Sequence, residues 1–349
     1  TEPVEKWTGK LRVDRILEET PEVKTFRLAA PDNVALPFVY YPGQFLTISL
    51  PTDDKAIKRS YTIASTPTQR HYCSITVKRE ELGLVSRYLH DDVEEGDLLE
   101  VAAPNGKFTF TGEEADSIVL IGGGVGITPL MSVIRYLTDL SWDGQIYLLY
   151  CCRTTRDFIF RTELERLQEL HSNLNVYASM TREAGTIWMG LRGYFTEGIV
   201  GHLVPEIEIR RVHVCGPPGM MDAMLEILHG LGVPDEQVKT EAFGPAKKPV
   251  AQPAAPVEGG ETEATTVTFK TSGKSVPLPA GQTVLDAAEG IGVDIDNSCR
   301  SGQCGLCKVK LLSGKVSMEC DDALSEEDKA GGLILACQAV AVEPITVEE

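Results

Sequence analysis

SIVLIGGGVGITPLMSVIRYLTDL, from Ser117 to Leu140, is the stretch on which the reading of the fold turns. Its first five residues form a continuous apolar run of the kind buried on both faces of a parallel sheet. Its second half carries helical periodicity. Between them lies a glycine-rich turn, Gly122 to Gly126, with Thr128 expected to cap the helix and Pro129 at its first position. A strand, a glycine turn and a helix in that order admit a ligand backbone closely and direct main-chain N–H groups at a pyrophosphate, although the run departs from a regular G-x-G-x-x-G.

Toward the C-terminus the same alternation continues. QIYLLYCC, LNVYASM and RRVHVCG read as buried parallel strands, and TELERLQELH and MMDAMLEILHGLG as the helices between them. The expectation is an α/β domain, 113–245, with helices on both faces of an open parallel sheet. Toward the N-terminus the pattern changes to short alternating pieces (LRVDRILE, VKTFRLA, QFLTISL, YTIAS, SITVKR, LLEVAAP) separated by Pro, Gly and Asp turns. Residues 1–112 are therefore expected to form an antiparallel β-barrel. Beyond the α/β domain, 246–264 reads as an extended proline-rich tether. Residues 265–349 remain as a small α+β module with a strand pair, a helix from Thr283 to Glu289 ended by Gly290, and a cysteine-rich loop. So small a core usually needs a metal or similar staple.

The 349 residues carry a net charge of −18, which disfavours phosphate backbones, so nucleic acid is not an expected partner. From Glu258 onward 16 acidic residues face 7 basic ones, a balance that suits either a docking face or a charged surface kept for solubility. No apolar run approaches the roughly eighteen residues needed to span a bilayer, so no membrane partner is expected. TEPVEKWTGKLRV at the start has no apolar core of a leader peptide, and the cytoplasm is the expected location.

Cys299-Arg300-Ser301-Gly302-Gln303-Cys304-Gly305-Leu306-Cys307 has the C-x4-C-x2-C spacing of plant-type [2Fe–2S] sites, and Cys337 completes a set of four thiolates. Gly302 and Gly305 allow the loop to bend inward around an inorganic core. A structural zinc site would show two paired knuckles, and only Cys304 with Cys307 forms one. Cys320 is the alternative fourth ligand, but it lies in the acidic stretch MECDD, whereas Cys337 ends the apolar run GLILACQ. Cys73, Cys151 and Cys152 fall in strand patterns and read as small buried hydrophobes.

Four motifs occur in an order that resembles the ferredoxin–NADP reductase superfamily. They are Arg59-Ser60-Tyr61-Thr62, Gly83-Leu84-Val85-Ser86, Gly122 through Pro129, and Cys215-Gly216-Pro217-Pro218-Gly219-Met220. With the cysteine module added, the chain looks like the reductase components of Rieske-type oxygenases, especially those acting on betaine-like amines, and like hybrid-cluster-protein reductases. The resemblance implies a flavin on the barrel, a nicotinamide nucleotide on the α/β domain and a β-grasp ferredoxin-like fold for the last domain. It gives Arg59 to a flavin phosphate, Tyr61 to the isoalloxazine face and Thr62 to flavin N5, with Ser60 among the cofactor-binding residues. Gly83 to Ser86 would meet a second phosphate at a helix N-terminus, which points to FAD, with FMN as the alternative. Gly123, Gly124, Gly126 and Thr128 would hold the dinucleotide pyrophosphate. Cys215, Gly216, Pro217 and Met220 would lie at the nicotinamide, and Glu241 and Phe243 match an E-x-F whose ring lies near the flavin. After the second strand Arg153 and Asp157 sit where an adenosine ribose is read, the acid favouring NADH and the arginine NADPH. NADH is the expected donor.

The implied activity is that of an NAD(P)H-dependent reductase that accepts a hydride, splits it into single electrons and delivers them through the [2Fe–2S] cluster to a terminal oxygenase. Other acceptors consistent with the sequence are a hybrid-cluster protein or a diiron hydroxylase. Two further alternatives are a reductase releasing reduced flavin, for which the cysteines would be superfluous, and a redox-sensing interaction module, which would not need a complete nicotinamide site.

Overall fold

Alternation over the first hundred positions builds β1 (Trp7–Thr20), β2 (Val23–Ala29), β3 (Phe45–Leu50), β4 (Ile57–Thr62), β5 (Tyr72–Lys78), helix α1 (Leu84–Asp91) and β6 (Leu98–Asn105) in the computed structural model of the protein. The structure describes residues 5–32, 34–50, 56–182, 187–243, 265–279, 281–318, 320–321 and 323–349; the expected tether lies outside these. The six strands pair in the order β4-β3-β6-β1-β2-β5. The two edges meet where Ile63 bridges Ile75 and the Ala64 N–H donates to the Ser74 carbonyl at 2.8 Å. Closure at this point encloses Leu11, Phe26, Leu28, Leu46, Ile48 and Ile75. The expected strand YTIAS is corrected here: the β3 ladder ends at Thr62, because Ile63 turns across to β5 to close the barrel.

The next stretch forms β7 (Ser117–Gly123), α2 (Ile127–Asp139), β8 (Gln145–Cys152), α3 (Arg161–Leu170), β9 (Leu174–Met180), β10 (Leu191–Arg192), α4 (Glu197–Leu203), β11 (Arg211–Gly216), α5 (Pro218–Gly230) and β12 (Val238–Ala242). The sheet order is β10-β9-β8-β7-β11-β12, and each neighbouring pair is parallel. Successive β7 residues feed different cores, Ile118 and Leu120 on one face, Val119 and Ile121 on the other. That explains why the run is apolar throughout rather than alternating. Thr128 does not cap α2. A 3₁₀ turn over Gly124–Gly126 already winds the chain in the helical sense, so the helix starts at Ile127 and the Thr128 hydroxyl donates back to the Val125 carbonyl at 3.0 Å.

Barrel and parallel sheet belong to one compact unit, Thr1–Phe243. Val23 and Ala64 of the barrel share a core with Leu120, Leu130 and Ile134. On α2, Arg135 donates to the Ala64 carbonyl at 2.6 Å and Ser132 to the Ser65 carbonyl at 2.9 Å. The Lys239 ammonium of β12 reaches the carbonyls of Lys107 and Thr109 at 3.3 and 3.2 Å.

The second unit, Gly244–Glu349, contains β13 (Thr265–Phe269), β14 (Lys274–Leu278), α6 (Val284–Gly290), β15 (Lys308–Ser313), β16 (Val316–Ser317), α7 (Glu326–Ala330), β17 (Leu333–Leu335), β18 (Val340–Ala341) and β19 (Ile345–Glu348). Its main sheet is mixed, ordered β14-β13-β19-β15-β17, with β13 and β19 parallel. Helix α6 opens on a capping box between Thr283 and Asp286. Gly290 does not end it but is its last residue; the left-handed position falls on Gly292 (φ +64°), after which the Val293 N–H closes on the Ala288 carbonyl at 2.8 Å.

Candidate active site

In the parallel sheet the strand order reverses between β7 and β11, and a cleft opens outside their carboxyl ends, where ligands of such sheets bind. The cavity is about 440 Å³ and is lined by Gly123, Gly124, Gly126, Arg153, Asp157, Gly216, Pro217, Met220 and Phe243. All nine were expected from sequence. The glycines are required by close approach: a Cβ on Gly126 would lie 2.3 Å from the Cys215 carbonyl oxygen, and one on Gly123 2.5 Å from the Met220 sulfur. Gly124 has φ +55° and would meet nothing within 4 Å, so main chain here faces open space. That is a cradle fit for a dinucleotide backbone.

The far wall belongs to the barrel: Thr20, Glu22, Val23, Lys78 and Glu80. Sequence reading missed these residues, because none of them carries a ligand signature and only the packing of barrel on sheet brings them there. Arg153 crosses the cleft to Glu22, with 2.9 Å between guanidinium and carboxylate, and lies 3.5 Å from Asp157. The other Asp157 oxygen accepts from the Thr154 N–H and hydroxyl at 3.0 and 2.8 Å. Tyr194 and Thr181 complete the rim.

Arg59, Ser60, Tyr61 and Thr62 lie together at the end of β4, outside the residues lining the cleft. Arg59 donates to the Lys58 carbonyl at 2.7 Å, and Ser60 and Thr47 hydroxyls are 3.2 Å apart. Burial pushes the Tyr61 phenol up, with Arg59 opposing. The Thr62 hydroxyl is buried with no hydrogen-bond partner, an orphan that a flavin ring nitrogen would satisfy. Gly83 is the N-cap of α1, where Leu84 and Val85 begin the helix; the Ser86 hydroxyl accepts from the Glu80 N–H and donates to the Gly83 carbonyl, both at 3.2 Å. Cys215 and Glu241 are register partners on β11 and β12, both buried outside the cleft lining. Burial first, and the Glu241 carboxylate second, push the Cys215 thiol up.

In the second unit the cysteine loop folds on left-handed turns at Arg300, Gly302 and Gly305. Arg300 bonds Asn297 and Glu289, and its carbonyl accepts from the Gln338 side chain at 3.1 Å, tying the loop to the neighbour of Cys337. The Cys299 sulfur accepts from the Ser301 and Cys304 N–H groups at 3.4 and 3.3 Å, and the Cys307 and Cys337 sulfurs are 3.2 Å apart. The Cys304 side chain holds the Cys299 thiol below the usual thiol range. Among the described residues no three His, Cys, Asp or Glu side chains converge as they would on one ion. The thiols come instead in two pairs, Cys299 with Cys304 and Cys307 with Cys337, a donor set for two irons with two thiolates each. Cys320 lies against Gly302, where an added Cβ would sit 2.9 Å from its sulfur.

A closed barrel joined to a parallel nucleotide sheet, followed by a mixed sheet bearing paired thiols, defines an iron–sulfur flavoprotein oxidoreductase using NAD(P)H. Residues 10–110 match the oxidoreductase FAD-binding domain, 120–226 the oxidoreductase NAD-binding domain, and 267–342 the 2Fe-2S iron-sulfur cluster binding domain. The chain is 35% identical to the glycine betaine monooxygenase reductase subunit of Chromohalobacter salexigens, over 98% of this chain and 96% of that one. It is 33% identical to the ferredoxin reductase component of 3-ketosteroid-9-alpha-monooxygenase from Rhodococcus rhodochrous, over 96% and 94%. Among solved structures, phthalate dioxygenase reductase aligns over 98% of both chains with a TM-score of 0.65 and 26% identity. The chain belongs to the ferredoxin–NADP reductase superfamily, among the oxygenase reductase components that carry a C-terminal [2Fe–2S] domain. No described helix is long and apolar enough to cross a membrane.

Proposed function

We propose that this chain is the reductase component of a Rieske-type non-haem iron oxygenase, drawing electrons from NADH and passing them out through its [2Fe–2S] domain. The observation that carries the reading is the pair of thiol pairs in a chain that also has a dinucleotide cleft. A reductase that released reduced flavin would have no use for them. The relatives named for betaine and ketosteroid monooxygenases support the acceptor class.

The division of labour follows the three layers: 1–112 for flavin, 113–245 for nucleotide, 246–264 as tether and 265–349 for the cluster. Bound FAD supplies the conversion of a two-electron hydride into single electrons. In this reading Arg59 and Ser60 hold its phosphate side, Gly83 to Ser86 meet the second phosphate, Tyr61 packs on the ring and Thr62 donates to the ring nitrogen. Gly123, Gly124 and Gly126 present main chain to the dinucleotide, with Thr128 fixing the turn through its bond to Val125. Cys215, Gly216, Pro217 and Met220 shape the nicotinamide side, and Glu241 and Phe243 form the E-x-F whose ring lies near the flavin. Asp157 and the paired state of Arg153 favour a ribose hydroxyl over a phosphate, hence NADH. Cys299, Cys304, Cys307 and Cys337 ligate the cluster.

Anaerobic titration of cofactor-replete protein with NADH, and separately NADPH, tests the chain of transfer. The expected result is visible flavin bleaching together with a reduced [2Fe–2S] EPR signal, at lower donor concentration with NADH. Bleaching without the EPR signal would refute passage to the cluster. Stoichiometric turnover of a purified Rieske oxygenase of the betaine class, and none of a diiron hydroxylase or hybrid-cluster protein, would support the acceptor.

A further inference from the structure

We propose that Glu22, a residue of the flavin-domain barrel, sets the dinucleotide preference of the nucleotide domain by neutralising Arg153. The inference deepens the reading above and rests on its assignment of the 153–157 turn to the adenosine ribose. Five charged side chains line the cleft, three carboxylates (Glu22, Glu80, Asp157) and two cations (Lys78, Arg153). Both cations are engaged by barrel carboxylates, Lys78 by Glu80 at 2.9 Å and Arg153 by Glu22 at 2.9 Å. The wall therefore carries a net negative charge, which a ribose hydroxyl tolerates and a 2′-phosphate does not.

Asp157 cannot hold Arg153 alone. One of its oxygens is committed to the Thr154 N–H and hydroxyl, and the other stands 3.5 Å from the guanidinium. Glu22 makes the short contact, and its main chain is held in place: its own carbonyl accepts the Arg79 N–H at 2.8 Å, which ties the turn between β1 and β2 to the end of β5. Selectivity that sequence would assign to the 153–157 turn is thus decided from a position more than a hundred residues away. Without Glu22, Arg153 stands at the ribose site as a fork-shaped phosphate donor.

The test is calorimetric binding of 2′,5′-ADP and 5′-AMP to the full-length protein as wild type, Glu22→Gln, Arg153→Met and the double variant, with the NADPH-to-NADH ratio of kcat/KM as a second readout. Glu22→Gln is expected to raise the affinity ratio of 2′,5′-ADP to 5′-AMP about fivefold, the scale of a half-exposed ion pair. Adding Arg153→Met should erase the gain. An unchanged ratio in Glu22→Gln with normal 5′-AMP binding would overturn this proposal alone, as would the same gain in the Arg153→Met background, since the effect would then not run through the arginine. Failure of the wild type to bind either nucleotide would overturn the assignment of the cleft itself and the proposal with it.

Discussion

Thr62 carries a hydroxyl that the fold buries and leaves without a partner. Such a group costs stability unless a ligand satisfies it, so its role and its removal have opposite signs. Thr62→Val should leave the melting temperature of flavin-free protein unchanged or higher. It should slow flavin reduction by NADH about tenfold or more in stopped flow, with Thr62→Ser retaining most of the rate. His213 is a second orphan: fully buried between Phe108 and Phe110, neither ring nitrogen bonded. Burial, reinforced by Lys239 and Arg211, holds its pKa well below 6.5. The folded state keeps it neutral while the unfolded chain takes up a proton, so stability is complete above about pH 6.5 and falls by about 1.4 kcal/mol per unit below it. Unfolding free energies of wild type and His213→Phe from urea titrations across pH 5 to 8 should differ in slope by that amount below about pH 6.5. Residues whose chemistry is written in local spacing, such as Cys299 to Cys307, were legible in the sequence. Glu22 and Lys78 were not, because only tertiary packing turns an ordinary surface charge into the wall of a cleft. At the cysteines, Cys337→Ser should abolish the reduced-cluster EPR signal with flavin bleaching retained, whereas Cys320→Ser should keep both.

At the scale of elements, the turn from β7 into α2 brings two chain segments within a contact that only glycine permits. Gly126→Ala would drive a methyl to 2.3 Å from the Cys215 carbonyl. The expected cost is about 1–3 kcal/mol in unfolding free energy, with a raised KM for NADH measured at saturating acceptor. Runs bounded by strong punctuation were read closely: VKTFRLA, QIYLLYCC and LNVYASM coincide with β2, β8 and β9. The errors fell where winding crosses a boundary. Thr128 reads as a cap in sequence, yet the 3₁₀ turn ahead of it had already begun the helix. YTIAS alternates like a strand, yet β4 ends at Thr62, and Ile63, its N–H still on the Gln44 carbonyl, bridges Ile75 across the barrel seam. The first is decided by the glycine turn just ahead of Thr128, the second by a strand that follows later in the chain.

Over the whole molecule, the separate cores of the two units should give each its own cooperative transition. The second unit has its own core around Val267, Phe269, Leu285 and Val347, adjoining Cys307 and Cys337. Calorimetry of the intact protein should show more than one transition. Stripping iron with a chelator should lower one of them by about 10 °C or more and leave the other within about 2 °C. A single transition shifting as one would refute this independence. The change from alternating to continuous apolar runs near Ser117 made the layered architecture readable; the core shared by Val23, Ala64 and Leu130 was not, because each residue reads as belonging to its own domain.

Strand β19 joins β13 to β15 at the middle of the last sheet, and all four paired cysteines precede it in the chain. The ligand loop thus depends on a strand that follows all of its cysteines: removing Ile345–Glu348 would keep the four sulfurs and lose the ladders that join β13 to β15.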